Sequence, residues 1–405
     1  MRFWLRCRGC GREFEPEKLP MCPECFEPLE VAYDLDAIEL DRERLASRPK
    51  TIWRYGELLP IKDYGNVVGM RVGYSPLVKC ENLGRELGLK ELYVKNEARN
   101  PTYSFKDRPA EVAVSKAREF GDEVVACAST GNLGASLAAY AAIAKMKCYI
   151  IAPYDIEREK LAQIASYGAR IIGIEGIFDD ARRLALMASE VLNWNVVNFT
   201  IRPYYAEGSK TMIYEVAEQL GWELPDHVII PVASGSLYCM THKGIEELKA
   251  LGLVGEKEVK LSGAQAKGCG PIAEAFEKGA DRIEPVKKPN TIAKSIAIGD
   301  PYDGKYVLER ARESGGYVYG ISDEEIREAI RLLAKTEGIF TEPAGGVVIG
   351  MLKRLVEEGK LDRDERVVCY VTGNGLKTMG LMTPYVHESL VKIRPTIEEL
   401  KAALG

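Results

Sequence analysis

Two short segments of this 405-residue chain carry residue types that could do covalent chemistry. In Asn100-Pro101-Thr102-Tyr103-Ser104-Phe105-Lys106-Asp107-Arg108, one lysine sits in a tight turn bounded by polar residues. Further along comes Ala128-Ser129-Thr130-Gly131-Asn132. A lysine amine can hold an aldehyde cofactor as a Schiff base, and a hydroxyl- and amide-rich loop can contact that cofactor's ring oxygen. The plainer reading makes Lys106 a surface lysine with Asp107 and Arg108 as solvated neighbours. It makes the loop a helix cap, which Ser, Thr and Asn favour in any case.

A separate cluster lies near the amino end. Cys7-Arg8-Gly9-Cys10 and Cys22-Pro23-Glu24-Cys25 are knuckles, each setting two sulfurs on one side of a turn. Together Cys7, Cys10, Cys22 and Cys25 complete a tetrahedral thiolate shell for zinc. A redox pair or disulfides are the alternatives, disfavoured in a reducing compartment. Cys80, Cys127, Cys148, Cys239, Cys269 and Cys369 are scattered in mostly apolar contexts and read as reduced core residues. Glu13, Glu15, Glu17, Glu24, Glu27 and Glu30 crowd the knuckles and would repel a phosphate backbone. A structural staple fits better than a nucleic-acid reader.

The Ser104-Phe105-Lys106-Asp107-Arg108 run resembles the fold-type-II pyridoxal-phosphate enzymes, and within them the threonine synthases, many of which carry a similar amino-terminal ribbon. The resemblance implies that Lys106 carries pyridoxal 5'-phosphate. It gives Asn132 the cofactor's 3'-oxygen, and Ser129 and Thr130 the substrate carboxylate. In Pro231-Val232-Ala233-Ser234-Gly235-Ser236-Leu237, small residues let backbone N–H groups close on the cofactor phosphate at Ser234, Gly235 and Ser236. In Val371-Thr372-Gly373-Asn374-Gly375, Thr372 matches the position that meets the pyridine nitrogen. The stretch from Asn198 to Thr211 offers Asn198, Arg202 and Lys210 for the phosphate of O-phospho-L-homoserine. Ordinary strand-to-helix turns and a positively charged surface are the competing readings of these segments. Glu342 either positions the ring face or a water, or begins the helix that follows.

Several positions depart from the family. Tyr103 stands where glycine is common, Leu133 where threonine is common, and Arg202 is displaced. These differences bear on the substrate phosphate pocket. The reaction implied is conversion of O-phospho-L-homoserine and water to L-threonine and phosphate. A β-replacement enzyme using O-phosphoserine with sulfide or sulfite, a serine or threonine dehydratase, and a zinc-ribbon binding protein with a degenerate enzyme body stay open.

These residues need a frame. Short apolar runs at Glu91–Lys95, Val124–Ala126, Lys147–Ile151, Ala169–Ile174, Asn195–Phe199, His227–Val232, Val259–Ala264 and Val367–Thr372 alternate with helical stretches. The alternation predicts α/β architecture with parallel sheets covered by helices. Asp34 to Pro49 reads as a charged, helical linker. The resemblance implies two open α/β lobes of the tryptophan-synthase-β-like fold type II. The expected division is a zinc ribbon (1–33), a large cofactor lobe (34–115 and 226–405) and a smaller inserted lobe (116–225).

A formal net charge of -5 gives no sign of a general nucleic-acid or acidic-membrane surface. Val124 to Ala144 is uncharged and approaches membrane-spanning length, but its polar loop suits hydrocarbon poorly. No apolar leader is visible, and the chain reads as cytoplasmic. Its expected partner is a small-molecule substrate, with neither nucleic acid nor membrane; related enzymes are often dimers, so a homodimer is expected.

Overall fold

Runs of Val, Ile and Ala become strands buried on both faces, as in His227–Pro231, where every residue is buried. The structure is a computed structural model that describes residues 3–404, apart from 70, 130, 155–157 and 177 and the side chains of 179, 387 and 388. β1 (Phe3–Cys7), β2 (Glu13–Phe14) and β3 (Leu29–Tyr33) form an antiparallel ribbon ordered β2-β1-β3. β4 (Leu77–Lys79) and β5 (Glu91–Asn96) then open the large sheet. β6 (Val124–Ala128), β7 (Lys147–Pro153), β8 (Arg170–Ile174) and β9 (Asn195–Val196) form a separate parallel sheet ordered β8-β7-β6-β9. β10 (His227–Pro231), β11 (Lys260–Ala266), β12 (Val318–Ile321) and β13 (Arg366–Val371) complete the large sheet, ordered β12-β11-β10-β13-β5-β4. Its strands are parallel except for β4, which runs against β5.

The expected α/β architecture is therefore present. β13 inserts between β10 and β5, so the chain leaving these strands emerges side by side at one edge. Those exits are the lysine turn, the Thr372 turn and the Ser234-Gly235-Ser236 loop. Ligands of open α/β sheets bind at such carboxyl ends.

Some elements differ from expectation. The linker from Asp34 is helical only in part, with a 3-10 turn at Leu35–Ala37 and a five-residue α-helix at Arg42–Ala46, the second capped by the Asp41 side chain on the Arg44 N–H. The strand expected over Asn195–Phe199 stops at Val196, because the Val196 carbonyl turns to accept the N–H groups of Phe199 and Thr200. The uncharged stretch from Val124 is strand, loop and the helix Asn132–Ala144. Among the described residues, no helix is long and apolar enough to cross a membrane.

Beneath the lysine turn lies a fully buried ion cluster. Arg108 grips Glu97 through Nε (2.7 Å) and Nη2 (2.8 Å), and Glu215 through Nη1 (2.6 Å) and Nη2 (2.7 Å). Lys95 Nζ adds 2.7 Å bonds to Glu215 and to the Ser75 carbonyl. Two cations balance two carboxylates, all at 0% exposure. The reading of Arg108 as a solvated neighbour of a surface lysine is thereby overturned. Burial alone would raise the Glu215 carboxyl, but Arg108 and Lys95 outweigh it and lower it from 4.5 to about 2.

A depressed carboxyl stabilises the fold above its unfolded pKa, and that contribution is lost as pH falls through the folded value. Denaturant melts should therefore show the Glu215 share of stability intact at neutral pH and draining away from pH 4.5 toward about 2. Arg108→Met leaves Glu97 without its cation and Glu215 with Lys95 alone, and should cost about 3–5 kcal/mol at neutral pH, read from the same melts.

Candidate functional site

Lys106 directly precedes the helix Asp107–Glu119 and is fixed from both sides. The Phe105 N–H donates to the Thr372 carbonyl (2.9 Å), and the Asn374 N–H donates to the Tyr103 carbonyl (3.1 Å). A Ser104–Gly373 bridge lies between them, so the lysine and Thr372 turns are laced together. Tyr103 has φ 67°, a left-handed conformation that glycine adopts without strain, which explains why glycine is common here while the tyrosine itself has no structural explanation. Asp107 accepts from the Thr102 N–H (2.7 Å) and hydroxyl (2.6 Å). Burial raises its carboxyl to about 6 against the pull of those bonds. Lys106 Nζ donates to Tyr205 Oη at 2.9 Å and lies 4.7 Å from the centre of the Phe105 ring.

Across from it, Asn132 opens the helix Asn132–Ala144. Its Nδ2 donates to both Glu342 oxygens (2.8 and 3.0 Å), while Lys377 Nζ donates to its Oδ1 (3.0 Å). Carboxylate on one side and ammonium on the other fix which way the amide faces. Glu342 begins the helix Pro343–Glu357, one of the two roles the sequence allowed, and its carboxylate holds the Asn132 amide. It packs so closely on Gly373 that a Cβ there would overlap its carboxylate.

Ser234, Gly235 and Ser236 lie at the start of the 15-residue helix Ser236–Ala250, whose first turn has no side-chain cap. Gly235 has φ 95°, and a Cβ on it would come within 2.8 Å of Asp303 Cβ. Asp303, fully buried, donates its N–H to the Ser234 carbonyl (2.8 Å). Its carboxylate takes Arg8 Nη1 from the ribbon (3.0 Å) and pairs with Arg202. Uncapped N–H groups at a helix start, with a glycine cradle, suit an anion such as a cofactor phosphate.

The other expected residues fall differently. Ser129 is nearby, but its hydroxyl already accepts from the N–H groups of Gly131 (3.2 Å) and Gly134 (3.0 Å), so it caps the helix. Thr130 lies outside the described residues. Asn198 donates to the Ala128 carbonyl (3.3 Å), and its buried Oδ1 has no partner. Arg202 is committed to Asp303 and stacks 4.1 Å from the Tyr302 ring. Lys210 is not in the cleft: it is fully buried between Glu207 and Glu247, 4.1 Å from the Tyr33 ring. Its two carboxylates explain how a charged lysine tolerates that interior. Sequence reasoning gave no role to Tyr205, Lys377 or Asp303. Lys377 had a local signal, since it follows the Thr372 turn directly in Gly375-Leu376-Lys377.

At the ribbon, the sulfurs of Cys7, Cys10, Cys22 and Cys25 all lie within 4.8 Å of one another. Cys7–Cys25 is 3.4 Å and Cys10–Cys22 is 3.8 Å. A zinc tetrahedron with about 2.3 Å bonds has sulfur–sulfur edges of about 3.8 Å, so this donor set fits the ion. The Cys10 N–H points at Cys7 Sγ (3.4 Å), which orients the first knuckle.

Solved structures share the architecture. Maize serine racemase superposes with a TM-score of 0.65 at 20% identity, covering 78% of this chain and 92% of its own. Tomato (Solanum lycopersicum) threonine deaminase isoform 2 gives 0.65 at 20% identity, covering 83% and 95%. At such identities the likeness concerns the fold. The family profile described as pyridoxal-phosphate dependent enzyme matches residues 68–373, and the chain belongs to that family. Within it, the chain is a member of the threonine synthases. It is 45% identical to threonine synthase of Methanocaldococcus jannaschii over 375 residues, 92% of each chain. It is 40% identical to that of Methanosarcina acetivorans over 404 residues, 99% of this chain and 98% of the relative.

Gly373→Ala forces Glu342 off Asn132, and overpacking of this kind should cost about 1–3 kcal/mol in denaturant unfolding. A melt indistinguishable from the native protein would contradict the close packing described.

Proposed function

We propose that this chain performs the threonine synthase reaction, turning O-phospho-L-homoserine and water into L-threonine and phosphate. The observation that carries the reading is Lys106, aimed between loops of two sheets in a chain 45% identical to a threonine synthase across 92% of its length.

Lys106 would hold pyridoxal phosphate, and the N–H groups of Ser234, Gly235 and Ser236 would receive its phosphate. Thr372 would meet the ring nitrogen. Asn132 would give one amide hydrogen to the ring oxygen and the other to Glu342. When bound, the cofactor supplies an electron sink for negative charge developing at the substrate's Cα and Cβ. Lys106, released by the substrate's own amine, takes the Cα proton and then a Cβ proton. Tyr205 keeps that amine aimed. Free N–H groups at the start of the helix Asn132–Ala144 hold the substrate carboxylate, on a loop that Ser129 shapes. Phosphate leaves Cγ, Lys106 returns one proton to Cγ to make the methyl group, water adds its hydroxyl at Cβ, and Lys106 returns a second proton to Cα.

Purified protein given O-phospho-L-homoserine should release phosphate and form threonine in equal amounts. O-phosphoserine with sulfide should give no product, and serine or threonine alone no oxo-acid; either product would overturn the reading. Lys106→Ala should abolish turnover together with the visible absorbance of protein-bound cofactor.

We further propose that Cys7, Cys10, Cys22 and Cys25 hold a structural zinc. Metal analysis should find one zinc for each chain, absent in Cys22→Ser. Chelation should lower the thermal midpoint first and loosen the cofactor only afterwards, because the ribbon touches Asp303 and not the reacting atoms. Instant loss of turnover with fold and cofactor absorbance intact would contradict a structural role.

A further inference from the structure

The proposed substrate brings a phosphate dianion as well as a carboxylate, and the cations expected to meet that phosphate are already committed. Lys210 is buried between Glu207 and Glu247, and Arg202 is held by Asp303. Lys377 is in a different position. It is only 8% exposed, and the one hydrogen bond of its ammonium among the described residues is to the neutral Asn132 oxygen at 3.0 Å. An ammonium has three donors, and a buried one left without an anion carries a desolvation penalty.

The acids around it have other duties. Glu342, from the start of the helix Pro343–Glu357, spends both oxygens on Asn132. Asp107, from the lysine turn, spends both on Thr102. Lys160, 4% exposed on the helix Arg158–Ser166, brings a second positive charge; its Nζ lies 3.5 Å from where a Cβ of Gly131 would be. The Lys377 ammonium, whose 3.0 Å partner is a neutral oxygen, therefore keeps donors for an arriving anion.

We propose that Lys377 is a ligand of the substrate's phosphate group, pairing with the dianion on binding and staying with it as it departs from Cγ. This rests on the threonine synthase reading given above. Burial lowers the Lys377 ammonium from 10.5 to about 8, with Glu342 and Asp107 pulling it up and Lys160 pushing it down. A lowered lysine is charged below that value and neutral above it. Phosphate esters become dianions above about pH 6. Affinity for a phosphate-bearing ligand should therefore be best between the two and fall as pH rises through about 8.

The test uses the holoenzyme and two probes that divide the substrate's anionic groups: inorganic phosphate, and L-threonine, which has the carboxylate alone. Lys377→Met should weaken inorganic phosphate and raise the KM for O-phospho-L-homoserine about 10- to 100-fold, the loss of one charge-assisted hydrogen bond. Threonine affinity, read from cofactor absorbance, should change less than about twofold, and Lys377→Arg should restore phosphate binding. If Lys377→Met does not fold, the native protein still decides: its phosphate affinity should fall above pH 8 while its threonine affinity does not follow. Equal weakening of threonine would assign Lys377 to the carboxylate or the ring, and unchanged phosphate binding would remove it from the site; either overturns the proposal. Failure of the reaction itself would show separately, as no phosphate released from O-phospho-L-homoserine by the native enzyme.

Discussion

The constraint beneath everything else is the fully buried, charge-balanced knot of Arg108, Lys95, Glu97 and Glu215. Arg108 sits two residues beyond Lys106, so anchoring its guanidinium on both carboxylates fixes the start of the helix Asp107–Glu119. Glu97 follows β5, and Glu215 lies on the helix Thr211–Gln219 beyond the inserted sheet. The knot thus ties the lysine turn to chain from both sides of the insertion. A flexible lysine needs such a rigid base if its amine is to reach substrate protons repeatably.

Asp303 performs a comparable service on the other side of the site. It receives Arg8 from the ribbon and Arg202 from the chain after β9, while its backbone holds Ser234. One buried carboxylate thereby brings three distant stretches of chain into register around Gly235. The ribbon reaches the surroundings of the site through this residue and through Tyr33, whose hydroxyl donates to Glu207 (2.9 Å), and its effect there is one of geometry.

The α/β architecture and the knuckles were legible because each is a local pattern, whereas the segments around Lys106, Asn132 and Thr372 were marked out by their resemblance to the family. Spacing, small residues and strand-end position survive in the sequence whatever the tertiary structure does. Lys210 was not legible in that way: its meaning depends on Glu247, which only the fold brings near. The same holds for Asp303, an unremarked acid in the sequence whose importance comes from Arg8, 295 residues away. Tyr103 shows the reverse case, since its left-handed torsion gives the glycine common at this position a plain steric account. Ser129 showed that a binding motif and a helix cap use the same atoms.

The strand order also has a temporal side. β13, the last strand made at the ribosome, takes a central place between β10 and β5. Until it is synthesised, β5 and β10 lack their shared neighbour and leave unpaired backbone edges where the middle of the sheet should be. The inserted sheet, built from contiguous chain, can collapse earlier. Nascent chains should therefore pass through a stage in which one half is folded and the other is open and prone to aggregate, a natural point for chaperone capture.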